Sequence, residues 1–103
     1  MPLPDELMIL GKKYKVAYYA NQIDVDPEHK KELLGHISHN RAEIRIWVST
    51  SRDVMLQTLL HEIIHALAVH FHLDKLDAEE RDVDLLATGI YDTLTRNGVK
   101  LWK

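Results

Sequence analysis

Residues 7–19 show an apolar segment, a turn, and then a segment in which apolar and polar residues alternate strictly. Leu7–Leu10 is apolar, and Gly11-Lys12 fits a two-residue turn with glycine in first place. A two-residue period is typical of a strand with one buried face. The pattern therefore predicts a β-hairpin whose second strand buries Tyr14, Val16 and Tyr18.

Residues 33–48 repeat this pattern and predict a second hairpin, with a turn near His39–Ala42. In its second strand, Glu43–Val48, one face is apolar and should point inward, with Ile44, Ile46 and Val48. The other face should point outward, with Glu43, Arg45 and Trp47. The segment between the hairpins, Asn21–Lys31, is polar and reads as a loop or one turn of helix.

The period then changes from that of strands to that of helices. Thr50-Ser51-Arg52-Asp53 offers a hydroxyl cap followed by an acid, and the helix that it starts should run to about Phe71. Apolar residues lie almost all the way round this helix, so we expect it to be central and buried.

A second helix should follow a short link, His72–Leu76, with Asp77 as its cap and Asn97-Gly98 at its end. Its apolar stripe, expected to face the core, consists of Val83, Leu86, Ala87, Ile90 and Leu94. The tail, Val99–Trp102, is apolar enough to pack back on the body. Two hairpins followed by two helices predict an α+β fold, with a small antiparallel sheet and one domain over residues 1–103.

Composition removes several classes of function. The 103 residues suffice for one small domain, and a net charge of −3 lacks the basic face of a nucleic-acid-binding protein. The absence of cysteine excludes disulfides and thiolate metal sites and favours a reducing, cytoplasmic location. The acidic N-terminus does not resemble a signal peptide, and polar residues interrupt the longest apolar run, 54–69, so we expect no membrane span.

The central helix carries the candidate chemistry, His61-Glu62-Ile63-Ile64-His65. Residues four apart lie on one helical face, so the two imidazoles can bind one zinc ion. Glu62 lies about 100° round the helix, where it can reach a water on the metal as general base. Core histidines with satisfied hydrogen bonds are the alternative, but an acid and two imidazoles on so apolar a helix need partners.

The residues alone leave the third zinc ligand open. His70 is about 140° from His65 on the helix, and we interpret it and His72 as surface or loop residues. Acids at the start of the second helix are better placed, and Glu80 and Asp84 share a face there. A helix that returns antiparallel after a short link would place Asp84 opposite His65, whereas Glu80 also fits a capping box with Asp77.

The motif His61-Glu62-Ile63-Ile64-His65 is followed by a second one, Glu80-Arg81-Asp82-Val83-Asp84-Leu85-Leu86-Ala87. Together they resemble the two zinc-binding motifs of the gluzincin metallopeptidases, and the resemblance covers roughly residues 43–95. They also resemble the ImmA/IrrE-type peptidases and the compact minigluzincins common in phage and prophage genomes. The resemblance implies that Glu80 is the third zinc ligand and that Asp84 accepts a hydrogen bond from a zinc-bound histidine, His61. The next candidates for the third ligand are Asp84 and then Glu79.

The resemblance further implies a peptide substrate bound in extended form along an edge strand. That strand would be Glu43–Val48, with Arg45 and Trp47 as candidate substrate contacts. The large C-terminal subdomain of longer gluzincins has no counterpart, so we expect no deep specificity pocket.

The sequence thus predicts a zinc metallopeptidase that cleaves an extended protein segment, and a partner-dependent protease that is inert in isolation is a variant of this prediction. A phage or host regulatory module with a closed, structural zinc site is the alternative. The oligomeric state is open, because an exposed edge strand can also pair with a second copy.

Overall fold

The computed structural model describes residues 3–26, 33–48 and 51–102. Its elements are β1 (Glu6–Ile9), β2 (Lys12–Tyr19), a 3₁₀ turn (Gln22–Val25), β3 (Gly35–Ser38), β4 (Glu43–Trp47), α1 (Arg52–His70), α2 (Asp74–Ala78) and α3 (Glu80–Arg96). The predicted α+β class is confirmed. The 3₁₀ turn falls in the polar segment predicted between the hairpins, whose residues from 27 onward lie outside the described part of the chain.

The first hairpin turns one residue earlier than predicted. Ile9 pairs with Lys12, so the two turn residues are Leu10 and Gly11, with φ of 50° and 81°. Two successive positive φ angles are the signature of a type I′ turn, whose twist matches that of the strands it joins. Glycine therefore takes the second turn position, and Leu10 is left exposed.

The two hairpins join through a parallel pair into a mixed sheet of order β1-β2-β4-β3. The predicted inward faces of the strands are confirmed for Tyr14, Val16, Ile44 and Ile46, which are all buried. Val48, predicted to point inward, lies beyond the end of β4 and is 37% exposed.

The prediction that Glu43–Val48 forms an edge strand is wrong. β4 pairs with β2 on one side and with β3 on the other, so its backbone groups are used within the sheet. Strand order depends on how the two hairpins meet, which the period of either hairpin cannot show. Among the described strands, the outer one on this side of the sheet is β3.

α1 begins and ends where the sequence predicted and has apolar contacts on two sides. Ser51 caps it, its hydroxyl accepting a hydrogen bond from the Val54 N–H, and Phe71 follows its last residue; Thr50 lies outside the described residues. Leu59 and Ala66 pack in a core cluster with the sheet, and Leu60 and Ile64 pack in a second cluster with α3. Contact on two sides explains the all-round apolar pattern.

The link after α1 differs from the prediction. Residues 74–78 form α2, and α3 begins at Glu80, with Glu79 as a cap residue whose side chain makes no capping hydrogen bond. The predicted capping box of Asp77 and Glu80 is therefore wrong. Asp77 lies in α2, and its carboxylate binds an imidazole on α1 instead.

α3 presents less of its apolar stripe to the core than predicted. Val83 and Ala87 are buried against α1, but Leu86 and Ile90 are 46% and 40% exposed. The helix is rotated so that its acidic residues reach the α1 imidazoles, which turns part of the stripe to solvent. The helix ends at Arg96, Asn97 is its cap residue, and Gly98 follows with a φ of 78°.

The tail packs back on the body, as predicted. Trp102 packs against the sheet-side core and Leu101 against the cluster between α1 and α3. The Arg52 guanidinium donates hydrogen bonds to the backbone carbonyls of both residues. None of the helices in the described ranges combines the length and the apolar character that a membrane span requires.

Candidate metal centre

His61, His65 and Glu80 meet between α1 and α3 and form a group that could hold a metal ion. One ligand atom from each lies within 4.8 Å of the others. His61 Nε2 is 2.9 Å from Glu80 Oε2, and His65 Nε2 is 2.7 Å from Glu80 Oε1. The i, i+4 spacing of the histidines brings their rings to a centroid distance of 4.9 Å on one face of α1.

Both imidazoles present their other ring nitrogen to a carboxylate. His61 Nδ1 is 3.5 Å from Asp84 Oδ1, the partner that the resemblance implied. His65 Nδ1 is 2.9 Å from Asp77 Oδ1. Carboxylates at Nδ1 fix the tautomer and the orientation of the ring, so that Nε2 is the nitrogen available to a metal.

Asp77 is the residue of this arrangement that the sequence analysis missed. An acid just before a helix fits a cap as well as a histidine partner, and its position suggested the cap. The number of histidine ligands could have revealed Asp77. Each of the two histidines needs a hydrogen-bond partner at its second ring nitrogen, and the resemblance supplied only one partner, Asp84. Glu79, the remaining candidate ligand, is exposed at the junction of α2 and α3 and lies outside the group.

Glu62 lies beside the metal-binding group but is turned into the protein. Its side chain is 5% exposed, and burial raises the pKa of its carboxyl to about 8, with the nearby Glu80 charge adding to the increase. The strand β3 passes directly over it. A Cβ atom built on Gly35 would lie 3.1 Å from Glu62 Oε2 and 2.5 Å from Thr58 Cγ2, so only glycine lets the strand come this close.

Two clefts of about 340 and 520 Å³ flank the group, and both run beside β3. His61, Glu62, Glu80 and Gly35 line both of them. His39 lines the larger cleft, where burial lowers the pKa of its imidazole and the neighbouring Asp77 opposes that shift. Glu80 is 71% exposed, so the group opens to solvent on the α3 side.

The structure does not bring Arg45 and Trp47 to this site. Their side chains alternate with those of Ile44 and Ile46 and therefore lie on the sheet face away from the helices. Arg45 contacts Glu43 at 2.7 Å, and Trp47 Nε1 donates to the Ala20 carbonyl. Neither lines the clefts beside the histidines.

The remaining histidines of the helix end are also separate from the group. His70 Nε2 is 3.2 Å from the Tyr14 hydroxyl on the sheet side of α1. His72 follows α1 with a φ of 59°, in the turn before α2. His72 agrees with its interpretation as a loop residue, whereas His70 is a half-buried residue of α1.

Comparison of the chain with family models, curated proteins and solved structures finds no match.

Proposed function

We propose that this chain is a zinc metallopeptidase that hydrolyses peptide bonds in an extended segment of another protein. One observation carries the proposal: two imidazoles and an exposed carboxylate converge at the mouth of a cleft, with a buried glutamate beside them. A structural zinc site is closed by four protein ligands, whereas a catalytic site has three and remains open to solvent. Among the residues that the structure describes, the group has three members, and Glu80 is largely exposed.

The donor set fits zinc. Neutral imidazole nitrogens and one carboxylate oxygen are the ligands of many catalytic zinc sites, and the carboxylates at Nδ1 leave both Nε2 atoms directed at Glu80. We therefore assign His61, His65 and Glu80 as the ligands. The chemistry that bound zinc supplies is Lewis acidity and a water of lowered pKa.

Glu62 is the proposed catalytic acid–base group. It follows His61 on the helix and lines both clefts, so its carboxylate is next to the place where a water and a substrate carbonyl would meet. The positive charge of a bound zinc ion would lower the pKa of Glu62 again, so that its carboxylate could accept a proton from the attacking water and return it to the nitrogen of the leaving amine.

β3 replaces β4 as the strand that would hold the substrate. Leu34 O accepts a hydrogen bond from Trp47 N, and in an antiparallel pair every second residue bonds to the neighbour. The backbone N–H and C=O groups of His36 and Ser38 therefore face β4, and those of Gly35 and Ile37 face the outer edge of the sheet. An extended peptide added at this edge would run alongside the two clefts, within reach of Glu62.

Zinc titration against a chromophoric chelator tests the ligand assignment. We expect one zinc per chain for the wild type and at least about tenfold weaker binding for Glu80→Gln, because one of three ligands is lost. Glu79→Gln is the matched control, an adjacent acid outside the group, and should bind zinc like the wild type. If Glu80→Ala keeps its zinc affinity while Asp84→Ala loses it, the assignment is wrong.

Hydrolysis of a quenched-fluorescent peptide library tests the reaction. Glu62→Gln should bind zinc normally and lose cleavage by about a hundredfold or more, because only the proton acceptor is removed. Cleavage that persists in this variant contradicts the mechanism. X-ray absorption that shows four protein ligands, together with no cleavage by the wild type, would instead indicate a binding module with a structural zinc site.

A further inference from the structure

α3 has a second apolar face, which nothing in the described part of the chain covers. Leu85, Leu86 and Ile90 are 55%, 46% and 40% exposed. Together with Gly89, Thr93 and Leu94 they line one shallow groove along the helix. Three large apolar side chains in one groove exceed the scattered exposed apolar residues normal for a surface, so this face indicates an interaction site.

The apolar face is separate from the proposed active site. At 100° per residue, Gly89 lies opposite Glu80 on the helix, and the buried Val83 and Ala87 lie between Glu80 and Ile90. Glu80, Asp84 and Thr88 border the cleft on the other side. A partner on the Gly89 face would therefore leave the metal-binding group open.

Charges at the two ends of this face indicate which partner fits it. Asp82 lies seven residues before Gly89 and Arg96 seven residues after it, both exposed and both on the Gly89 side of the helix. In an antiparallel pair of α3 helices centred on Gly89, each Asp82 lies opposite the Arg96 of the other copy. In a parallel pair Asp82 would face Asp82 and Arg96 would face Arg96, which repels at both ends.

We propose that α3 pairs antiparallel with α3 of a second copy of this chain, about a two-fold axis at Gly89. Such a pair is symmetric and closed, so each copy contributes the same apolar face. A Cβ atom at Gly89 would have nothing within 4 Å, so the helix surface is open where the two backbones cross. The Arg96 Nε is bonded to Asp92, and a guanidinium carries four further N–H donors for a partner carboxylate.

Sedimentation equilibrium of charge variants tests both the partner and the orientation. Asp82→Arg and Arg96→Asp should each weaken dimerisation about tenfold or more, because both end pairs change from attraction to repulsion. The double variant Asp82→Arg/Arg96→Asp should restore the wild-type dissociation constant, because the opposite charges face each other again. Single variants that dimerise like the wild type, or a double variant that stays weak, would overturn the antiparallel arrangement.

Disulfide trapping supplies a second, independent measurement. The chain has no cysteine, so Gly89→Cys introduces a single thiol at the proposed axis, where it meets its own copy. Under mild oxidation it should form covalent dimers at least about tenfold faster than the control Thr95→Cys, an exposed position of α3 away from this face. Equal rates would overturn the proposal. So would a wild type that stays monomeric at about 1 mM, which would leave the face for a different polypeptide.

Discussion

Replacing Gly35 by alanine tests how closely β3 passes over α1. The added methyl group would lie 2.5 Å from Thr58 Cγ2, more than 1 Å inside ordinary carbon–carbon contact, and 3.1 Å from Glu62 Oε2. Thr58 is buried and its hydroxyl is bonded to the Val54 carbonyl, so the side chain cannot simply turn away. The strand or the helix must move.

The expected cost is the difference between two opposing effects. Overpacking of a filled site destabilises by about 1–3 kcal/mol. Replacing glycine by alanine at a residue without a positive φ also stabilises the protein by about 0.5–1 kcal/mol, because the unfolded chain loses conformational entropy. We therefore expect Gly35→Ala to lower the free energy of unfolding by about 1–2 kcal/mol, which urea denaturation measures directly.

A double-mutant cycle identifies the clashing atom. Thr58→Ser removes Cγ2 and keeps the hydroxyl that bonds Val54, so it vacates the space that the alanine methyl needs. By itself it should cost about 1 kcal/mol for a lost buried methyl group. Combined with Gly35→Ala it should recover most of the loss, with a coupling energy of about 1 kcal/mol or more. A Gly35→Ala variant as stable as the wild type, or two additive losses, would refute the close approach.

Two further predictions concern the groups around the histidines. With the metal removed by a chelator, Glu62→Gln should raise the free energy of unfolding at pH 8 by several kcal/mol and change it little at pH 4. The pKa of Glu62 is about 8 in the folded protein and 4.5 in the unfolded chain, so the buried carboxyl is neutral in both states well below pH 4.5. As the pH rises from 4.5 to 8, the unfolded chain ionises first and the wild-type protein loses stability. Urea denaturation measures this difference between the variant and the wild type, and a difference that does not change with pH would contradict the raised pKa of Glu62. Asp77→Ala should weaken zinc binding about 10- to 100-fold, because His65 loses the carboxylate at Nδ1, and the control Asp74→Ala, an exposed acid in the same short helix, should not. Equal zinc affinities for both variants in chelator competition would show that Asp77 does not position His65.

The period of the sequence was sufficient wherever structure depends on neighbours along the chain. Alternation identified the strands and their buried faces, and the capped apolar segment identified α1 to within a residue. The i, i+4 spacing was sufficient to place His61 and His65 on one face, since a helix imposes that geometry on any pair four residues apart. The first turn was one residue out because both Leu10 and Gly11 adopt positive φ, which the glycine alone did not reveal.

The tertiary structure decided everything that depends on how separate elements meet. The residues alone did not decide whether Glu80, Asp84 or Glu79 is the third zinc ligand. That choice depends on how α3 lies against α1, which is set by the intervening helix α2. In the structure Glu80 meets both Nε2 atoms, while Asp84 and Asp77 meet one Nδ1 each. The rotation of α3 that achieves this also exposes Leu86 and Ile90. Strand order moved the outer edge from β4 to β3 in the same way. A local pattern determines which face of a helix or strand is apolar. Which two faces come into contact is determined by packing between elements that lie far apart along the chain, beyond the span of any local pattern.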